Sequence, residues 1–155
     1  MIRFRGLSLA LMLLFVPTAC LFAQTPQETP SEGQGEFKER LVLLYKDRAE
    51  GFDPCYQSFL KFLETGDKEK MAELVEFPIH AYVKGKKVKI PNKKAFVANF
   101  DGIFYPGFTK KIAESSKSLF VLGQGVTVGQ GLVWFAWYSK PSSGWKIKSI
   151  NNSGY

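Results

Sequence analysis

The spacing of apolar positions predicts that the first half of the chain is helical. Between Phe37 and Arg48 these positions recur at the interval of an α-helix, with charged residues on the opposite side, and Gly51 follows as the expected end of this helix. Asp53 and Pro54 come next, in the order of an N-cap and a first helical residue. The pattern therefore predicts a second helix that is capped by Asp53.

A shorter helix and a β-hairpin are predicted to follow. Asp67 is in position to cap a third helix over residues 71–75, and the Phe77–Pro78 step ends it because a residue before proline avoids helical geometry. Residues 79–83 and 87–90 then alternate between apolar and polar on either side of a turn that contains Gly85. Alternation that is interrupted by a glycine turn predicts a hairpin.

The second half of the chain is predicted to hold one more long helix and then strands. Asn92 can cap a helix whose apolar residues run from Phe96 to Phe104, and a short helical segment is expected at residues 110–115. Strands are expected after it at residues 119–128, 131–139 and 145–150.

The strand around residues 132–138 is apolar on both of its faces. Leu132, Trp134, Ala136 and Tyr138 share one face, and the residues between them are apolar as well. An antiparallel strand of this kind needs cover on both sides. One face can pack on the helices, whereas the other must meet a cavity, another layer or a second subunit.

Helices followed by a hairpin, a further helix and antiparallel strands make an α+β fold class. Over roughly Phe37 to Asn152 this order resembles the nuclear transport factor 2-like superfamily, which includes ketosteroid-isomerase-like and scytalone-dehydratase-like enzymes. The resemblance implies N-terminal helices packed on a strongly curved, cone-like antiparallel sheet, a pocket, and a homodimer through the outer face of the sheet. A cystatin-like fold, with a helix on an antiparallel sheet, is the alternative, although it would not easily use three N-terminal helices.

The N-terminal residues have the order of a secretory signal. Arg3 and Arg5 precede an apolar run at residues 7–16, and small residues follow up to Ala23. The run is shorter than the roughly 20 apolar residues that cross a bilayer. We therefore predict a signal peptide at residues 1–23 and an exported protein, periplasmic or extracellular.

Cleavage after Ala19 is the alternative, because it would leave Cys20 as a lipidated N-terminus and would tether the protein to the envelope membrane. Residues 24–35 are polar and lack apolar periodicity, which predicts a flexible leader. Residues 36–155 then form one α+β domain, which is the size that a single core supports. In the cleaved form Cys55 has no partner for a disulfide, and we interpret it as a small buried hydrophobe.

The charge of the chain favours anionic partners. Its formal net charge is +7, and an excess of cations remains after the predicted signal is removed. Export argues against nucleic acid, so an anionic envelope component is the expected partner. The densest cationic cluster, which is either an anion-binding patch or a protective strand edge, consists of Lys84, Lys86, Lys87, Lys89, Lys93 and Lys94.

Few residues offer catalytic chemistry. His80 is the only histidine, which excludes a polyhistidine metal site, and no cofactor motif is present. His80 and Asp101 could handle protons in a cone pocket, or they could be a surface histidine and a turn-forming aspartate. The glycines at residues 123–131 lack the helix and lysine of a phosphate loop and are interpreted as bends. The residues that could line a ligand pocket, as the resemblance implies, are Tyr45, Tyr56, Tyr82, Tyr105 and Trp134.

Two hypotheses for function follow from these residues. The first is an exported, non-catalytic binding domain that uses an apolar pocket for a small apolar ligand, the lysine-rich hairpin for an anionic partner, or both. The second is a small isomerase, dehydratase or hydrolase that uses His80 and Asp101. The first is favoured because an enzyme of this shape needs several convergent polar groups.

Overall fold

A computed structural model describes residues 32–139 and 143–153 and shows an α+β fold. The helices are α1 (Glu32–Tyr45), a 3-10 helix (Lys46–Gly51), α2 (Phe52–Thr65), α3 (Lys68–Glu73), α4 (Lys93–Ile103) and α5 (Pro106–Glu114). The strands are β1 (Ile79–Val83), β2 (Lys86–Ile90), β3 (Leu119–Leu122), β4 (Gly125–Val128), β5 (Val133–Tyr138) and β6 (Gly144–Ile150).

Several predictions for the N-terminus concern residues that the structure does not describe. The signal peptide at residues 1–23, Cys20 and residues 24–31 of the predicted leader lie outside the described residues. Helix α1 begins at Glu32, so its first turn occupies the end of the segment that we predicted as a flexible leader.

The structure confirms two of the three predicted N-caps and contradicts the third. The Asp67 carboxylate accepts a hydrogen bond from the Lys70 backbone N–H at 3.1 Å, and the Asn92 side chain accepts from the Ala95 N–H at 3.0 Å. Both caps are confirmed. The cap at Asp53 is wrong, because the 3-10 helix continues into α2 and leaves Asp53 inside the first turn of α2.

Aromatic rings join α2 to the sheet. Phe52, Tyr56 and Phe59 lie on one face of α2, and all three are buried. Their rings contact the ring of Phe135 in β5 at centroid distances of 5.8, 6.0 and 5.3 Å. The space between this helix and the sheet is therefore filled by aromatic side chains at this level.

The strand predicted over residues 119–128 is wrong as a single element. It consists of β3 and β4, which pair antiparallel across a turn at Gly123 and Gln124. The sheet order is β3-β4-β5-β6, and β3 lies at one end. Gly125 has a φ of +145°, and a Cβ built there would lie 2.0 Å from the Phe135 carbonyl oxygen, so this bend requires glycine.

The two faces of the apolar strand β5 are buried to different degrees. Val133 and Phe135 on the face toward the helices have no exposed surface, and Ala136 on the other face is 9% exposed. Trp134, in register with Thr127 of β4, is half-buried on that second face.

Candidate functional site

The β1–β2 hairpin is the best-defined cationic feature of the described residues. Lys84 and Gly85 form its turn with φ values of +51° and +76°, the positive angles that a two-residue hairpin turn of the type I′ class needs. The strands pair antiparallel from Ile79 opposite Ile90 to Val83 opposite Lys86. The predicted hairpin is confirmed.

The two faces of this hairpin differ sharply in polarity. Side chains alternate between faces along a strand. Ile79, Ala81 and Ile90 point into the core, with exposures of 1%, 1% and 2%. The opposite side, here called the outer face of the hairpin, is formed by His80, Tyr82, Lys87 and Lys89.

Pairing places these four side chains side by side. His80 lies opposite Lys89, and Tyr82 lies opposite Lys87. Directly opposed residues on one face have Cβ atoms about 5 Å apart. His80 and both lysines are exposed, so the outer face presents cations next to an imidazole and a phenol ring.

Most lysines of the predicted patch have no acidic partner in the described residues. Lys93 is the exception, because its Nζ lies 2.9 Å from Glu73 Oε1. Within residues 32–139 and 143–153, no ion pair is formed by Lys84, Lys86, Lys87, Lys89 or Lys94. Their ammonium groups are therefore available to an external anion.

A buried asparagine fixes the hairpin to the end of the chain. The Tyr82 N–H donates to Asn152 Oδ1 at 2.7 Å, and Asn152 Nδ2 donates to the Tyr82 carbonyl at 2.7 Å and to the Ile103 carbonyl at 3.0 Å. Asn152 is only 2% exposed. Because β1 also lies against β6, the hairpin is held as part of the folded body.

The predicted pair of His80 and Asp101 is not assembled. Asp101 at the end of α4 is bound to Lys68, with Oδ2 and Nζ 2.6 Å apart, and its side chain is 80% exposed. In the part of the chain that the structure describes, His80 forms no hydrogen bond or ion pair with a carboxylate. The two groups share no proton-transfer geometry here.

Three predicted ligand-binding tyrosines use their hydroxyl groups on the protein itself. Tyr45 donates to the Leu122 carbonyl at 2.7 Å, Tyr56 to the Ser116 carbonyl at 2.6 Å, and Tyr105 to the Asn152 carbonyl at 3.4 Å. Burial raises the pKa of Tyr56 to about 12.

The predicted pocket residues do not converge. Tyr82 and Tyr105 line one shallow cleft of about 360 Å³ together with Lys84 and Asn152. Tyr45, Tyr56 and Trp134 lie elsewhere, on α1, α2 and β5. Among the described residues no buried side-chain nitrogen or oxygen lacks a hydrogen-bond partner, so no such group awaits a ligand.

A larger apolar groove, of about 680 Å³, runs between α1, the 3-10 helix and the start of α2. Phe37, Leu41 and Phe52 contribute apolar surface, and Lys38 and Asp53 are among the charged residues along it. It was not predicted from the sequence.

No similarity to known proteins supplies a function for this chain. A scan against protein-family models and searches of curated proteins and of solved structures gave no match to this chain.

Neither a membrane span nor a metal cluster is found where the structure is described. None of the helices there is long and apolar enough to cross a bilayer. No group of three or more His, Cys, Asp and Glu side chains is placed to hold a metal ion in those same residues.

The Cys55 thiol has low reactivity. Burial raises the pKa of its thiol to about 11, and the nearby Lys146 ammonium offsets only part of this shift. The Sγ donates to the Trp145 carbonyl at 3.3 Å. Such a thiol is protonated at neutral pH and is a poor nucleophile.

The role of Asn152 was not predicted from the sequence. Its side chain forms with the Tyr82 backbone the pair of hydrogen bonds that a neighbouring strand would form, although the two residues are 70 positions apart in the chain. A polar residue two positions after the end of β6 was the only local signal. By contrast, the shared outer face of the hairpin follows from the alternation of its two strands once their register is known.

Proposed function

We propose that this protein is an exported, non-catalytic binding domain whose β1–β2 hairpin binds an anionic component of the cell envelope. The observation that carries the proposal is the outer face of the hairpin. Lys87 and Lys89 stand there in register with Tyr82 and His80, and neither lysine has an acidic partner in the described residues.

The chemistry of this face suits phosphate or carboxylate groups on a surface. A lysine near an anionic membrane contributes about 1 kcal/mol of binding free energy. Tyr82 is half-buried and gives an amphipathic ring beside the ammonium groups. Because Asn152 and the core hold the hairpin, the cations are presented with little loss of backbone freedom on binding.

The catalytic alternative has less support. A proton-handling site needs an acid and a base within reach of one another. Here Asp101 is bound to Lys68, and the hydroxyl groups of Tyr45, Tyr56 and Tyr105 are bound to backbone carbonyls. An enclosed apolar pocket between α2 and the sheet is likewise not supported, since aromatic rings fill that region.

The resemblance to the nuclear transport factor 2-like superfamily remains part of the proposal. Support for it comes from the element order, with helices before a hairpin, further helices and antiparallel strands. The same resemblance suggests a homodimer through the outer face of the four-stranded sheet, where Phe120 is 50% exposed. A strict monomer at high concentration in analytical ultracentrifugation would contradict this dimer.

Export is proposed from the order of the first 23 residues, with Arg3 and Arg5 before the apolar run. Mass spectrometry of the protein from the envelope fraction tests it. A mature N-terminus at Gln24 is expected, and a diacylglyceryl group on Cys20 would identify the tethered form. An unprocessed protein in the cytoplasm would contradict export.

The hairpin is tested by charge reversal with a matched control. One variant carries Lys86→Glu, Lys87→Glu and Lys89→Glu; the control reverses Lys38, Lys61 and Lys110, which are exposed on α1, α2 and α5. The probes are phosphatidylcholine vesicles with and without phosphatidylglycerol, and the soluble anionic glycan heparin. The two arms distinguish a lipid source of phosphate from a glycan source of sulfate or carboxylate.

The hairpin variant is expected to bind at least about 100-fold more weakly, as the loss of three contributions of about 1 kcal/mol implies. The control is expected to lose much less, although its net charge is the same. Equal losses in the two variants would mean that overall charge rather than the hairpin determines binding. Absence of binding to both probes by the unaltered protein would contradict the proposal.

A further inference from the structure

We propose that the free edge of β2 binds an acidic, extended segment of a partner polypeptide as an additional antiparallel strand. Strand addition of this kind uses the main chain of the hairpin, whereas the proposed function uses the side chains of its outer face. It rests on the proposed function only in that Lys87 and Lys89 supply the charge for both.

The register of the hairpin directs the main-chain groups of Lys87 and Lys89 away from β1. A two-residue turn is closed by a hydrogen-bonded pair, which is Val83 with Lys86 here. Hydrogen-bonded and non-hydrogen-bonded pairs then alternate along an antiparallel ladder. Lys87 and Lys89 therefore fall in non-hydrogen-bonded pairs, and their N–H and C=O groups point outward from β2.

The other edge of the hairpin follows the same alternation. Tyr82 lies opposite Lys87, and its N–H and C=O both bond to the Asn152 side chain rather than to β2. No such partner covers β2: within residues 32–139 and 143–153 it pairs with β1 alone, and the N–H and C=O groups of Lys87 and Lys89 form no hydrogen bond. These are the groups with which an added strand would pair.

The residues that carry these groups are open to solvent. Lys86, Lys87 and Lys89 are exposed, and Val88 between them is half-buried against the core. An extended segment beside β2 therefore has access to the outward main-chain groups and, on the side of the core, to the apolar flank of Val88.

The charge of this edge selects the kind of segment. Side chains of an added strand that lie opposite Lys87 and Lys89 are on the outer face, about 5 Å from them, so acidic residues are favoured there. The residues between them point to the side of Val88 and are expected to be apolar. Two copies of β2 paired about Val88 would bring Lys87 of one opposite Lys89 of the other, and opposed like charges are destabilising. The lysines thus disfavour pairing of two copies and favour an acidic strand.

The test uses the acetylated and amidated heptapeptide EVEVEVE. Its isomer EEVVVEE is the matched control, because it has the same composition and charge. Isothermal titration calorimetry with the purified full-length protein measures both. The alternating peptide is expected to bind at least about tenfold more tightly, because only it places every carboxylate on the face of the lysines and every valine on the other.

Backbone methylation of the same peptide tests the main-chain pairing. In an antiparallel pair, the residue opposite Lys87 or Lys89 directs its own N–H toward β2. N-methyl groups at the glutamates therefore remove the N–H groups that face β2, whereas N-methyl groups at the valines remove those that face solvent. The first series is expected to weaken binding at least about tenfold, and the second is expected to leave it within about threefold.

Two substitutions at Lys89 separate its main chain from its side chain. Lys89→Ala and Lys89→Pro both remove the ammonium group, but only Lys89→Pro removes the outward N–H, and proline is tolerated where the N–H of an edge strand faces solvent. The proline variant, with its fold checked by circular dichroism, is expected to bind EVEVEVE at least about fivefold more weakly than the alanine variant. The two variants are expected to bind phosphatidylglycerol vesicles and heparin equally.

Charge reversal gives an independent measurement. Lys87→Glu with Lys89→Glu is expected to weaken EVEVEVE at least about tenfold, and Lys38→Glu with Lys61→Glu, the charge-matched control on α1 and α2, about threefold at most. The proposal is overturned if EVEVEVE binds with a Kd above about 1 mM, if the isomer binds equally well, or if methylation at the glutamates weakens binding no more than methylation at the valines. Absence of vesicle and heparin binding, together with phase-dependent binding of the peptide, would contradict the proposed function alone and support strand addition.

Discussion

Asn152 is expected to contribute a large share of the stability of this domain through three hydrogen bonds. Its Oδ1 accepts from the Tyr82 N–H, and its Nδ2 donates to the carbonyls of Tyr82 and Ile103. This orientation of the amide matches one donor and two acceptors on the backbone, and the reverse orientation would match none of them. Asn152→Ala removes all three bonds and leaves the three backbone groups without a partner.

The size of the effect follows from that count. Each hydrogen bond contributes about 1 kcal/mol net, and the loss is greater when a buried group stays unsatisfied. Asn152→Ala is therefore expected to lower the free energy of unfolding by about 3 kcal/mol. Asn152→Asp keeps the acceptor for Tyr82 but places an oxygen against two carbonyl oxygens, so its loss is expected to be at least as large.

Urea unfolding followed by tryptophan fluorescence and circular dichroism measures both losses. Asn151→Ala is the matched control, because Asn151 is exposed and, among the described residues, its side chain accepts a hydrogen bond only from Ser153. A control of this kind is expected to change stability by less than about 0.5 kcal/mol. A loss below about 1 kcal/mol for Asn152→Ala, or an Asn152→Asp variant as stable as the unaltered protein, would refute the argument from hydrogen bonds.

Three further predictions concern the backbone, a partly buried thiol and a buried phenol. Gly125→Ala is expected to prevent folding or to lower the melting temperature sharply, whereas Gly123→Ala, with no atom within 4 Å of the added Cβ, is expected to change it little. Alkylation of Cys55 at pH 8 is expected to be about 100-fold slower than that of a thiol at its reference pKa, since burial raises the pKa to about 11 from 9.0; a rate equal to that of the urea-unfolded chain would contradict this. For Tyr56, whose folded pKa is about 12, stability is expected to fall as the pH rises above about 10, because the unfolded phenol ionises first. The difference in unfolding free energy between Tyr56→Phe and the unaltered protein should therefore change with pH in that range, and a constant difference would exclude this linkage.

The parts of the fold that were predictable are those set by neighbours in sequence. Asp67 and Asn92 cap helices because a short polar side chain reaches an N–H three residues ahead, whatever the tertiary structure. Asp53 has the same local signature, and the prediction failed. There the chain enters α2 from a 3-10 helix, with Gly51 already helical at φ −75° and ψ −11°, so no non-helical residue is left to act as a cap.

The wrong prediction of a single strand over residues 119–128 has a different cause. Residues 119–128 are apolar enough to be interpreted as one strand, and the turn at Gly123 and Gln124 divides them. The decisive contact is the approach of Gly125 to the Phe135 carbonyl, ten residues later in the chain. A close approach between strands is a property of the assembled sheet, so the glycines could be interpreted as bends while the strand boundaries stayed hidden.

The polar groups of the candidate site differ in whether the fold itself binds them, and this difference favours binding over catalysis. Catalysis needs polar groups that converge and stay free of the protein's own backbone. Here the hydroxyl of Tyr56 and the amide of Asn152 are bound to carbonyl groups. These bonds stabilise the fold and leave neither group free to act on a ligand. What remains without an acidic partner in the described residues is on the surface, in the lysines of the hairpin. Lysines of this kind recognise partners by contact, which requires neither a perturbed pKa nor a cofactor, and this is why we place the function on the surface rather than in the interior.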